Sequence, residues 1–201
     1  MSAFNTIVPK FQAYLAKAFP VLDDDDIDAI IGNAAWECGR FEKLQELKPV
    51  VKGSRGGYGY MQWTGPRRRA YEAWCAKGRR DPASFEANMG FLEFELNGPE
   101  KRALAKIQAA VGLPAKTQVF METFLRPGIP HLQGRIRAAQ DARLLRAQRP
   151  RINPPVPTQP DLRKPVSAAP GGNADHYLNP IATQTATLGV LAWIASLFRR
   201  R

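Results

Sequence analysis

The chain has 201 residues, 44% hydrophobic and 23% charged, with 29 Lys and Arg against 18 Asp and Glu for a net charge of +11. These totals exclude a wholly disordered chain, and two cysteines with two histidines supply neither a disulfide framework nor the four N or S ligands of a structural zinc site. The basic balance predicts an anionic partner, whether nucleic acid, membrane surface or cell-wall polymer.

In chain order, residues 1–20 predict a first helix, with Ile7, Phe11, Leu15 and Phe19 about one turn apart. This N-terminus has no basic region followed by an apolar run, so no cleavable signal peptide is expected. Four acids at 23–26 suit an N-cap and first turn, at the positive end of the next helix. They lack the glycine and bidentate glutamate of a calcium loop. The second helix is expected from about Asp26 to Cys38, with Gly39 as its stop. Ile27, Ile30, Ile31, Ala34 and Cys38 share one face, and Glu37 lies on its flank, seven residues past Ile30.

Residues 40–64 read as irregular with short extended pieces. "GSRGGYGYMQWTG" sets glycines around two tyrosines and a tryptophan, a pattern for tight turns and close backbone approach. Pro66 suits the first turn of a helix to about Lys77. Further helices are expected at 84–97, with Phe85, Met89, Leu92 and Leu96 inward, and at about 98–111, 115–125 and 130–148. With little period-2 alternation, residues 1–148 predict a mainly α domain with at most a small hairpin.

Seven prolines between 150 and 170, closed by "GGN", mark 149–173 as a Pro/Gly-rich linker. The segment 174–201 is hydrophobic and Arg-capped, and its residues 181–198 carry no charge. As a helix that stretch spans about 27 Å, marginal for a bilayer. It is read either as a helix docking on a protein or as a membrane-associating tail with an arginine anchor. The clusters Arg67–Arg68–Arg69, Arg79–Arg80 and Arg135 to Arg151 read as solvated faces that hold the domain near anionic wall material. No nucleic-acid motif accompanies them, so no specific nucleic-acid partner is expected.

The segments "IIGNAAWECGRF", "GGYGYMQWTGPRRRAYEAW", "FLEFEL" and "FLRPGIPHLQGRIRAAQDA" occur in that order over about residues 24–142. Together they resemble a phage tail-type lysozyme domain, and more loosely goose-type lysozymes and lytic transglycosylases. The resemblance implies a lysozyme-like α+β domain with a small irregular hairpin, acting as a muramidase or lytic transglycosylase on peptidoglycan glycan strands at the MurNAc–GlcNAc β-1,4 bond. Such an enzyme is phage-encoded, acts at the host cell wall or periplasm, and needs no metal or other cofactor. It also implies Glu37 as general acid and Tyr58, Gln62 and Trp63 as substrate-binding residues. The serine that usually follows the glutamate is Cys38 here.

Chemistry supports the acid independently. Glycoside cleavage requires protonating a poor leaving-group oxygen, and burial and a helix C-terminus both disfavour charge on a carboxyl group. Glu37 is expected to have both surroundings. A second carboxylate has no spacing signal. Glu42 and Glu46 follow the helix, while Glu93 and Glu95 lie two apart on another, so one is expected to buttress the cleft and the other to face solvent. His131, after a Pro-Gly-Ile-Pro turn, reads as structural. Two competing functions are a virion structural protein with an inactive lysozyme-like fold and a membrane-active lysis protein working through residues 181–201.

Overall fold

The computed structural model describes residues 2–49, 51 and 53–148. The expected linker at 149–173 and the Arg-capped tail at 174–201 lie outside these residues. Seven α-helices form: α1 (Ala3–Ala18), α2 (Asp24–Glu37), α3 (Gly65–Lys77), α4 (Phe85–Asn97), α5 (Lys101–Ala109), α6 (Leu113–Phe120) and α7 (Leu132–Ala147). A π-helical turn, Met121–Leu125, continues α6.

Helix α2 is the central element. It is buried along nearly its whole length, from Asp26 to Ala35, and packs most extensively on α7 and then on α6. Asp23 caps it, with a reciprocal bond to Asp26, as the run of four acids predicts. The acids also do something the run does not announce. Asp26 pairs with the buried Lys116 of α6, Asp25 with Arg143, and Asp24 and Asp28 with Arg146. Part of the basic run read as a solvated face therefore clamps α7 onto α2. Among the described residues no cluster of acids, histidines or cysteines could hold a metal ion.

Small residues let α2 and α7 approach closely. A Cβ on Gly32 would lie 2.6 Å from the Ala139 backbone nitrogen, and one on Gly134 would lie 2.1 Å from the Trp36 ring. Each helix thus offers a glycine to a side chain or backbone of the other.

The expected hairpin is reduced to two isolated antiparallel bridges, Gln45 with Tyr58 and Tyr58 with Trp63; among the described residues no strand forms. The physical reason lies in the backbone. Gly56, Gly59 and Gln62 all take positive φ, so the chain reverses within six residues and no ladder can extend. At Gly59 a side chain has no room, because a Cβ there would meet Asn88 Oδ1 at 2.6 Å and the Trp63 ring at 2.7 Å.

Candidate active site

Glu37 is the last residue of α2, and its side chain is 19% exposed. Helix α2 ends there because Gly39 takes φ +57°. The chain then returns so that the loop 44–46 and the glycine segment 57–63 face the acid. Two stretches of cleft meet at Glu37. One, of about 580 Å³, runs past Gln62, Trp63 and Arg67 to a wall made by residues 125–128. The other, of about 350 Å³, runs past Gly39, Lys43 and Lys48. Glu37, Glu46 and Gln62 line both.

The surroundings of Glu37 differ from the expected apolar flank. Its Oε1 sits 2.7 Å from Arg135 Nη2, and that arginine is 2% exposed. A periodicity reading of α2 could not supply this partner, which comes from α7. Cys38, which stands in the serine position, spends its hydrogen bond on the helix backbone. Its Sγ donates back to Ala34 O at 3.0 Å, and burial pushes the thiol up to about 12.

The three expected binding residues part company. Gln62 lies in the cleft, its Nε2 donating to the carbonyls of Leu44 and Gly59 at 2.8 and 2.9 Å. Those bonds hold the loop at Leu44 to the glycine segment, and the Gln62 carbonyl oxygen lies over Gly57, where a Cβ would meet it at 2.7 Å. Trp63 forms part of the wall but is 1% exposed; its ring packs on Tyr71 and Phe91 and its Nε1 donates to Glu95 at 2.7 Å. Tyr58 lies on the α3 side, its ring tilted against that of Tyr71 and the Arg68 guanidinium over it, and is in the wall of neither cleft stretch.

The carboxylates left open by sequence now have places. Glu46 reaches the cleft beside Glu37, and its Oε2 accepts from Gly57 N at 2.8 Å. Glu42 is exposed. Glu95 is buried and accepts the fork of Arg67 at 2.7 and 2.8 Å together with the Trp63 indole. Arg67 also donates to Phe124 O at 2.9 Å. Glu95 therefore ties the glycine segment, α3 and the π-turn into one wall, the buttress that one of the pair was expected to be. Glu93, its neighbour on α4, is half-buried, lines an open surface depression and accepts the Tyr14 hydroxyl.

The far wall follows from backbone geometry. The π-turn ends at Arg126 in the left-handed region, and His131 takes the same conformation where α7 begins. Between them runs the Pro-Gly-Ile-Pro segment, with Pro127 and Gly128 at the cleft. His131 sits against Trp36, ring centres 5.5 Å apart, on the side of α2 that carries Trp36 and in the wall of neither cleft stretch.

Sequence reasoning missed Arg135 and Arg67 as site residues, reading both as members of basic clusters. A signal existed for Arg67, one residue after the first-turn proline and four residues past Trp63. For Arg135 the signal is its place in the segment "FLRPGIPHLQGRIRAAQDA" that carries part of the resemblance, which marks an arginine there and assigns it no partner. The model of the phage tail lysozyme family matches residues 20–143 of this chain. No curated protein and no solved structure matches it.

Proposed function

The chain belongs to the phage tail lysozyme family, and from that premise we propose that it cleaves the MurNAc–GlcNAc β-1,4 bond of peptidoglycan with Glu37 as general acid. One observation carries the reading: Glu37 stands where two stretches of cleft join, as a group must that cuts a polymer within its length. The glycan lies along both stretches with the scissile bond over Glu37.

In this reading Glu37 takes up a proton before it acts and gives it to the glycosidic oxygen while the C1–O bond breaks, its electron pair going to that oxygen. The carboxylate then pairs with Arg135 again, as it does at rest. Glu46 is the second carboxylate. Its Oε2 is fixed by Gly57 N, and its other oxygen orients the water or sugar 6-hydroxyl that adds to C1 and takes the proton this nucleophile releases. Gln62 binds the sugar amide or hydroxyl groups through its carbonyl oxygen, and Trp63 backs that surface from the core.

Among the described residues no helix is long and apolar enough to cross a membrane, and segment 181–198 lies outside them. Its attachment to a membrane or to a virion part stays with the proposal that the full chain acts at the host wall.

The test is clearance of a purified peptidoglycan suspension. The wild type clears it, and Glu37→Gln is slower by about 10²-fold or more. Equal rates for the two, or no clearance by the wild type, overturn the glycosidase and leave the wall-binding structural protein. Mass spectrometry of the released muropeptides identifies the bond and separates a reducing from a 1,6-anhydro end.

A further inference from the structure

Arg135 sends its three donor groups to three different parts of the molecule. Nη2 meets Glu37 Oε1 at 2.7 Å. Nε donates to Pro130 O at 2.7 Å, and Nη1 reaches Asn33 Oδ1 at 3.4 Å. Asn33 is itself fixed, its amide donating to Ala29 O and to Thr117 O, both at 3.0 Å. Asn33 and Glu37 are one turn apart on α2. Pro130 ends the segment whose earlier residues, Pro127 and Gly128, wall the cleft.

We propose that Arg135 is a positioning residue for the cleavage reaction: it holds one oxygen of the Glu37 carboxyl group, leaves the other for the glycosidic oxygen, and ties that orientation to the cleft wall through Pro130. The proposal rests on the reading of Glu37 as the acid. Its physical basis is the shape of the guanidinium. A planar fork of fixed donors can hold a carboxylate, a carbonyl and an amide oxygen at set angles, whereas an ammonium group is a point charge on a flexible stem. A core arginine kept only for stability needs its charge compensated. It does not need its donors spread over the acid, the acid's own helix and the cleft wall.

The experiment measures kcat and KM on soluble peptidoglycan fragments for the full chain, Arg135→Lys and Arg135→Gln. Rates are normalised to the folded fraction given by circular dichroism. Arg135→Lys keeps a buried positive charge opposite Glu37 but loses the fork. Misplacing a reacting group by about 1 Å lowers the rate by about 100-fold. Arg135→Gln is therefore expected to lose about 100-fold in kcat, and Arg135→Lys an intermediate amount, with KM unchanged within about 2-fold. A merely structural arginine predicts that folded Arg135→Lys keeps the wild-type kcat, and that result overturns the proposal. So does a loss that only tracks the folded fraction, including complete unfolding of both variants. Failure of the acid reading looks different: there Glu37→Gln clears peptidoglycan as fast as wild type, whatever the Arg135 variants do.

Discussion

Replacing Glu37 by glutamine removes a negative charge from beside a guanidinium that is 2% exposed. The amide oxygen can still accept from Arg135, but the guanidinium keeps its charge and loses the opposite one. Leaving one member of a buried ion pair unpaired costs about 3–5 kcal/mol. Because Glu37 is 19% exposed, Glu37→Gln is expected to lower stability at the lower end of that range, by about 3 kcal/mol, read from denaturant midpoints at unchanged slope. An acid held in strain predicts the opposite sign. The position of Glu37 at a helix end beside the cleft was legible because its motif is local: a helix end, a glycine stop, a Gly-aromatic-Gln segment downstream. Arg135 was not, because what makes it special is a contact across 98 residues of chain. Nor was the bond from Cys38 back to Ala34 O, since a thiol and a hydroxyl at one position read alike until the helix fixes where Sγ donates.

At the scale of elements, the helices were legible from spacing and caps, their ends shifting by a few residues, because apolar periodicity and N-cap chemistry act within one or two turns. The hairpin was not, since three positive-φ residues in the 56–62 segment decide against a ladder, and Gln62 carries no sequence mark of that conformation. Gly32 is the sharper omission. An interior helix glycine signals either a cost or a close approach, and here it admits α7. Gly32→Ala places a methyl group within 2.7 Å of Ala139 backbone and Cβ atoms, and backbone cannot rotate away. Overpacking of this kind costs about 1–3 kcal/mol. The expected result is a melting temperature lower by roughly 5 °C, with a loss of peptidoglycan clearance beyond the loss of folded protein, because the same shift separates Arg135 from Glu37. Retained clearance at full rate shows that the two helices can part without disturbing the site.

For the whole molecule, a net charge of +11 hides how much of the basic sequence is spent internally. Besides the α2–α7 pairs, Arg126 holds Glu100 and Arg55 with Arg68 holds Glu72. Hydrogen bonds from Arg126 and from Arg55 keep the Glu100 and Glu72 carboxyl groups below their ordinary values. A lowered carboxyl group adds stability that is complete above its unfolded value and is lost as pH falls through its folded one. Asp28 works the other way: burial raises it against the pull of Arg146 and Gln12, so its contribution is complete in acid and is lost as pH rises through its raised value. Melting temperature is expected to drop between about pH 6 and pH 3, and Glu100→Gln to make that drop shallower. An unchanged slope in the variant shows that the Arg126 pair is screened by solvent.

The clamp between α2 and α7 also bears on how the protein comes into being. Helix α2 leaves the ribosome early and α7 last among the described helices, with about 100 residues between Asn33 and Arg135. At about 5–20 residues per second, the acid waits for seconds before its arginine exists. Asp24, Asp25, Asp28 and Glu37 meanwhile have no α7 to neutralise them, and the central helix has no cover for its glycine face. Joining the two ends is a long-range closure, the slow kind of folding event. The pairing of Glu37 with Arg135 thus waits for about 100 further residues to be made, and a chain interrupted before α7 carries the carboxyl group without its partner.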